Sequence, residues 1–327
     1  MTQRRVGILG LGAYLPEKVL SNHDLEKMVD TSDEWIRTRT GIRERRIAQE
    51  GTPTSELAKR ASLEAIDAAG LKPTDIDLII LATVTPDMTF PSTACIVQDK
   101  IGAKCPAFDI SAACSGFPYA LALAQGMILS GAYKHILVIG AEVISGFINW
   151  KDRSTCILFG DGAGAAVLGE VQDGHGILAT YLGSDGAQAN LLKIPAGGSA
   201  IPPSPASVEA GLHYVHMDGS EVFKSAVRIM CDSIIEVAKR ADLKVEDIDC
   251  LIPHQANLRI LNAVSDRTGI PLEKIFINLD RYGNMSAAST PVALYEAVKS
   301  GRVKKNSNIV LVAFGSGLTW AACTIRW

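Results

Sequence analysis

Three short stretches carry side chains able to do chemistry together. SAACSGF (111–117) holds one cysteine, Cys114, among small residues just before an apolar run. IPHQANLRI (252–260) places His254 directly after the strand-like DCLI, on a loop that opens into a helix. RYGNMSAAST (281–290) places Asn284 ahead of another helical stretch. A cysteine thiolate is a nucleophile, an imidazole donates or accepts a proton, and a carboxamide N–H steadies an oxyanion.

Each residue also has an ordinary reading. A cysteine at a helix N-terminus has its pKa drawn toward neutrality by unpaired N–H groups and the helix dipole. Buried cysteines are nonetheless often simple apolar fillers. Residue chemistry leaves both readings of Cys114 open. A lone histidine is more often structural, and His23, His135, His175, His213 and His216 sit in less organised settings than His254. Gly-Asn is a common turn dipeptide.

The elements that must position these residues alternate in type. Val6–Gly10, Asp77–Thr83, His135–Gly140, Gly164–Gly169, Asp249–Ile252 and Ile309–Phe314 read as strands. Thr54–Gly70 has helical spacing, a Ser/Thr start and a Gly stop. Non-alternating apolar strands between helices predict a largely parallel α/β protein with both sheet faces covered. AAGLKPTDIDLII (68–80) matches RADLKVEDIDCLI (240–252), with Glu64 aligned on Glu236 at the same offset. SGAYKHILVIG (130–140) matches SGRVKKNSNIVLVAFG (300–315). The repeat divides the chain into similar halves, 1–172 with the cysteine and 173–327 with the histidine and asparagine. Anchored on Ser130–Gly131 and Ser300–Gly301, it sets Cys114 opposite Asn284, so both loops meet at the centre of a pseudo-twofold fold. Residues 184–211 lack periodicity and read as a long functional loop.

Composition narrows the classes. The 327 residues are 47% hydrophobic and 20% charged with a formal net charge of −3, which fits a large globular core and argues against a nucleic-acid partner. No apolar run is long enough to span a membrane, and the N-terminal stretch lacks a signal-peptide core, so a cytoplasmic protein is expected. The seven cysteines (Cys95, Cys105, Cys114, Cys156, Cys231, Cys250, Cys323) are scattered, with no CxxC pair. Neither a disulfide framework nor a metal site is expected. VGILGLGAYLPE (6–17) imitates a dinucleotide fingerprint, but Leu15 and Pro16 stand where the third glycine and the helix belong. GDGAGAAVLG leads into a strand, so it is no phosphate loop.

Cys114 in DISAACSGF, His254 in PHQANLRI and Asn284 in YGNMSAAS together resemble the Cys-His-Asn triad of β-ketoacyl-ACP synthase III, a condensing enzyme of the thiolase superfamily. The resemblance runs nearly end to end, through DTSDEWIRTRTGIRERR (30–46), FPSTACIVQDKIGA (90–103), FGDGAGAAVLG (159–169), MDGSEVFK (217–224) and AFGSGLTW (313–320). Asn284 sets it apart from thiolases, elongating synthases and hydroxymethylglutaryl-CoA synthases. The resemblance implies an α/β thiolase fold, five layers αβαβα from two similar halves, acting as a homodimer.

The same resemblance implies the chemistry. Cys114 takes an acyl group from acyl-CoA; malonyl-ACP then loses CO2 and its carbanion attacks the acyl-enzyme, initiating fatty-acid synthesis. His254 and Asn284 would donate to the malonyl thioester oxygen, and the backbone N–H groups of Cys114 and Ser316 to the acyl oxygen. Ser316 stands where the family often has glycine. Thr31, Trp35, Arg39, Arg153 and Asn257 would bind CoA, with adenine between Trp35 and Arg153. The text around Arg153, NWKDRST, departs from the more usual PTDRGT. Phe90, reaching the partner's pocket, and Phe314 would bound the acyl site. Arg259, with Lys224 and Arg267, would meet the acidic carrier protein. Both thioesters are substrates, and no cofactor is expected. The alternatives are a related condensing enzyme or acyltransferase of a secondary pathway, and a silent acyl-CoA scaffold.

Overall fold

Strand Leu78–Ala82 shows how the fold is assembled. In the computed structural model, which describes residues 5–327, all five of its residues are buried. Leu78 and Ile80 enter one apolar cluster, Ile79 and Leu81 another. Successive strand side chains point to opposite faces, so an unbroken apolar run marks a sheet covered on both sides.

The first sheet contains β1 (Arg5–Tyr14), β2 (Leu78–Ala82), β3 (Ala107–Ile110), β4 (Ile136–Glu142) and β5 (Gly162–Val171), ordered β1-β5-β4-β2-β3. The second contains β6 (Gly176–Ser184), β7 (Cys250–Pro253), β8 (Asn308–Gly315) and β9 (Thr319–Arg326), ordered β6-β9-β8-β7. The second order repeats the first without β3. Where β3 would lie, Ile275 makes a single parallel bridge to Leu251.

The longer helices are α1 (Asp33–Thr40), α2 (Thr54–Ala68), α3 (Thr93–Ile101), α4 (Gly116–Leu129), α5 (Gly219–Arg240), α6 (Leu258–Thr268) and α7 (Ser289–Lys299). Helices α4 and α7 lie between the sheets. Phe117, Leu121, Ala124 and Ile128 of α4 and Ala293, Leu294 and Ala297 of α7 share a core with both sheets' inner faces. Helices α2 and α3 cover the outer face of the first sheet. Helices α5 and α6 cover that of the second, through Ile229, Ile234, Val237 and Val264. Five layers result.

Two expectations are corrected. The sheets are mixed rather than largely parallel: β2 runs parallel to β3 and β4, and β7 to β8, while the other four pairings are antiparallel. Burial on both faces reports covered faces, not strand direction. The second correction concerns the repeat. A short 3-10 turn precedes each central helix, Ala113–Ser115 before α4 and Ser286–Ala288 before α7. Ala113 (φ 46) and Ser286 (φ 47) both take the left-handed conformation, so they are the equivalent positions. Cys114 therefore lies opposite Ala287, and Asn284 three residues earlier than the C-terminal anchor implies. Helix α4 has 14 residues and α7 has 11, and the extra turn of α4 absorbs the difference.

The segment 184–211 holds a 3-10 stretch (Gly186–Leu191), a two-residue strand paired with His216–Met217, and a short helix (Pro205–Glu209).

The halves meet at glycines. A Cβ on Gly140 would lie 2.3 Å from the Ala287 carbonyl oxygen, and one on Gly164 would lie 2.7 Å from the Pro291 Cβ. Backbone cannot yield as a side-chain tip can. Gly140→Ala is expected to lower stability by about 1–3 kcal/mol, read as a shifted denaturation midpoint; an unchanged midpoint would contradict the close approach.

Candidate active site

Cys114 sits in the 3-10 turn between β3 and α4, where the left-handed Ala113 redirects the chain. A non-glycine residue in that region carries about 1–3 kcal/mol of strain, and hydrogen bonds hold it. The Ser115 and Thr319 hydroxyls converge on the Ala112 carbonyl at 2.7 and 2.9 Å. They lie 2.8 Å from each other. The loop carrying Cys114 is thereby tied to the turn after β8. Gly315 approaches so closely that a Cβ there would lie 2.6 Å from the Cys114 nitrogen.

His254 follows β7, and its N–H donates to the Val312 carbonyl at 2.7 Å. Its ring is buried and its Nδ1 lacks a hydrogen-bond partner. Asn284 is fixed by its N–H to Leu158 O (2.8 Å) and by Gly160 N–H to its own carbonyl (3.0 Å). The Ser286 N–H donates to Asn284 Oδ1 at 2.8 Å. With Oδ1 engaged, the amide NH2 is the end left for a ligand.

Cys114, His254, Asn284 and Phe314 line one cavity of about 310 Å³. Its outer wall includes Trp35, Arg39, Asn257 and Arg259. A second cavity of about 220 Å³ adjoins Cys114 on the other side, with Ser316 and apolar walls from Val84, Ile144, Phe159, Leu192, Ile194 and Val215. The thiol thus sits between a mixed approach and an apolar recess.

The other expected residues take these places. Phe90 is 83% exposed on the surface, where a partner chain could meet it, and Phe314 lines the approach cavity beside Cys114. Thr31 lies just before α1, outside both cavities, with its Oγ1 unpartnered. The Arg153 guanidinium is stacked on the Trp35 ring at 4.8 Å and donates to the Asp30 carbonyl. The gap between Trp35 and Arg153 is therefore closed in this state. Lys224 is paired with Glu221, and Arg267 lies 3.9 Å from Asp232. Arg259 pairs with no carboxylate among the described residues and rests over Phe223 at the cavity wall.

Burial governs the site's protonation. It pushes the Cys114 thiol up to about 12, against the Ser286 hydroxyl bond that lowers it, so the resting group is a thiol. Closeness to a helix N-terminus does not deliver the near-neutral value expected from it. Burial lowers His254 to about 4, leaving a neutral imidazole.

Glu142 and Ser286 were not anticipated. Glu142 ends β4, fully buried, and accepts from the Thr83, Thr85 and Ser286 hydroxyls at 3.1, 2.6 and 3.0 Å. Its signal was a carboxylate closing the apolar run ILVIGAE.

Two family models match the chain: 3-oxoacyl-[acyl-carrier-protein (ACP)] synthase III over residues 108–186, and its C-terminal part over 238–327. The beta-ketoacyl-[acyl-carrier-protein] synthase III of Caldanaerobacter subterraneus subsp. tengcongensis is 60% identical over 322 residues, 98% of this chain and 97% of that protein. The protein of the same name from Clostridioides difficile is 56% identical over 99% of this chain and 98% of its own. The crystal structure of 3-oxoacyl-[acyl-carrier-protein] synthase III from Aquifex aeolicus superposes with a TM-score of 0.91 at 51% identity, covering 98% of this chain and all of that one.

His254 also gives a pH signature. Its folded pKa of about 4 lies below the ordinary 6.5. Between these values the unfolded chain binds more protons, so this contribution to stability is lost as pH falls from 6.5 toward 4. A His254→Gln variant should lose about 3 kcal/mol less than the parent over that window in paired denaturant titrations. Glu142 acts in the opposite direction and is common to both proteins. Equal losses would place a charged imidazole in the folded state.

Proposed function

The chain belongs to the β-ketoacyl-acyl-carrier-protein synthase III family, condensing enzymes of the thiolase fold, and from this we infer how its own residues start fatty-acid synthesis. The chain condenses an acyl-CoA primer with malonyl-ACP to give 3-oxoacyl-ACP, CoA and CO2. In our reading Cys114 is the residue acylated, and the observation that carries it is its place between two cavities, with His254 and Asn284 beside it in the outer one.

The Cys114 sulfur attacks the thioester carbonyl, CoA leaves, and the acyl chain lies in the apolar recess. Two free N–H groups suit the carbonyl oxygen. Neither the Cys114 nor the Ser316 N–H donates to another part of the chain among the described residues. Malonyl-ACP then enters the approach cavity. Its carboxylate leaves as CO2, so no strong base is needed, and the developing enolate oxygen takes hydrogen bonds from Asn284 Nδ2 and from His254 Nε2. A neutral imidazole keeps its hydrogen and donates without offering a proton that would quench the carbanion. Neither step calls for a resident cofactor.

Trp35, Arg39 and Asn257 stand along the path CoA would take. Adenine entering between Trp35 and Arg153 displaces the guanidinium from the indole and takes over its stack. Thr31, with its unpartnered hydroxyl, is a candidate hydrogen-bond donor nearby. The recess, at about 220 Å³ with apolar walls, suits a short straight or branched acyl primer.

A homodimer fits two surface features: β3 is an edge strand, and Met88 and Phe90 are exposed on the loop before α3. A solution mass of one chain would contradict it. No helix among the described residues is long and apolar enough to cross a membrane, and a cytoplasmic location fits the substrates.

Intact-protein mass spectrometry after exposure to acyl-CoAs of increasing length should show one adduct per chain for short primers. It should show none in Cys114→Ala; an adduct persisting there would move the nucleophile elsewhere. Arg259, at the mouth and paired with no carboxylate among the described residues, is suited to an acidic carrier protein. Arg259→Glu should slow condensation with malonyl-ACP about tenfold or more while Cys114 acylation by acyl-CoA proceeds normally; equal loss of both would remove Arg259 from the carrier contact.

A further inference from the structure

The resting site contains a buried thiol with no ionised base against it. His254 makes no hydrogen bond to Cys114 among the described residues. The group that does is Ser286: Cys114 Sγ lies 3.6 Å from Ser286 Oγ, which in turn donates to Glu142 Oε1 at 3.0 Å. Three side chains from three separate segments form one directed line, thiol to hydroxyl to carboxylate.

We propose that Ser286 and Glu142 form the path by which the Cys114 proton leaves and returns, with Glu142 its acceptor through the Ser286 hydroxyl. This rests on the reading of Cys114 as nucleophile. During acylation the S–H bond breaks as its proton passes to Ser286 Oγ, and the Ser286 hydroxyl proton passes to Glu142. The freed sulfur pair forms the bond to the acyl carbon, the bond from that carbon to CoA breaks, and CoA leaves as a thiolate that takes a proton from water. After condensation the Cys114 sulfur departs as a thiolate and recovers its proton from Ser286, which is resupplied by Glu142. One proton from water is consumed per cycle, on CoA.

The surroundings of Glu142 suit an acceptor near neutrality. Burial raises its carboxyl to about 7, held back by the Thr85, Val84, Ser286 and Thr83 hydrogen bonds. On the β2 side it faces Thr83, Val84 and Thr85, and on the α7 side Ser286. Cys114, before α4, is the titratable group its charge acts on. No lysine, arginine or histidine pairs with it among the described residues. The left-handed φ of 47 at Ser286 aims the hydroxyl between the two. A purely structural pin for the Thr83–Thr85 segment needs no hydroxyl pointed at the thiol.

Ser286 touches the reacting sulfur, whereas Glu142 acts through it as a positioning and proton-accepting group. The test is the rate of acetyl-Cys114 formation with saturating acetyl-CoA from pH 6 to 9, by rapid quench and intact mass. The parent rate should rise through an inflection near 7 as Glu142 ionises. Glu142→Gln should lose that inflection and slow acylation roughly a hundredfold. Ser286→Gly should do the same, and its backbone conformation suits glycine, which guards against misfolding. Acylation by either folded variant within twofold of the parent rate, or with the inflection kept, overturns the relay. An absent Cys114 adduct in the parent overturns both the relay and the functional reading beneath it.

Discussion

Everything in the site depends on how closely the two 3-10 turns before the central helices approach. They face each other across the pseudo-twofold axis, with Ala287 packed against Gly116 and Gly140. That approach sets the thiol of one half against the hydroxyl and amide of the other. It requires glycine where backbone meets backbone, and it forces Ala113 and Ser286 into matching left-handed conformations. The layers of apolar strand and helix around the axis hold two strained turns in register.

Depth then decides the electrostatics. The same enclosure makes each charged form expensive: the thiol holds its proton, the imidazole stays neutral, and the carboxyl of Glu142 rises toward neutrality. A dry site suits a reaction whose intermediates, a thioester and a carbanion, are both destroyed by water. Activation of the sulfur then has to come through hydrogen bonds that move a proton, since a standing charge is disfavoured.

Much of this was legible in the sequence. The repeat and the covered strands follow from apolar runs and matched segments, because burial and internal symmetry leave direct marks on residue type, while the Cys114, His254 and Asn284 stretches stand out through their resemblance to a known family. Strand direction was not legible, since an apolar run is the same whether its neighbour runs up or down. The strands Ala107–Ile110, Gly176–Ser184 and Thr319–Arg326 also escaped, being short or interrupted by small and polar residues. The register between Cys114 and Asn284 was misread because α4 is longer than α7, a difference visible only once both helix starts are fixed. The walls of the recess come from segments far apart in sequence, and nothing local marks them as neighbours. Glu142 could have been noticed as a charge ending a buried strand.

The segment that follows β6 inside the second half has a separate consequence. Leu192 and Ile194 stand in the recess wall, yet they belong to an irregular stretch held by a two-residue strand pair and by scattered hydrogen bonds, among them Ser316 Oγ to the Leu192 carbonyl. The triad sits instead on the rigid frame around the axis. Part of the recess wall is thus built by a segment separate in sequence from those that carry Cys114, His254 and Asn284. Such a division allows the shape of the recess to change through residues that leave the turns around the axis untouched.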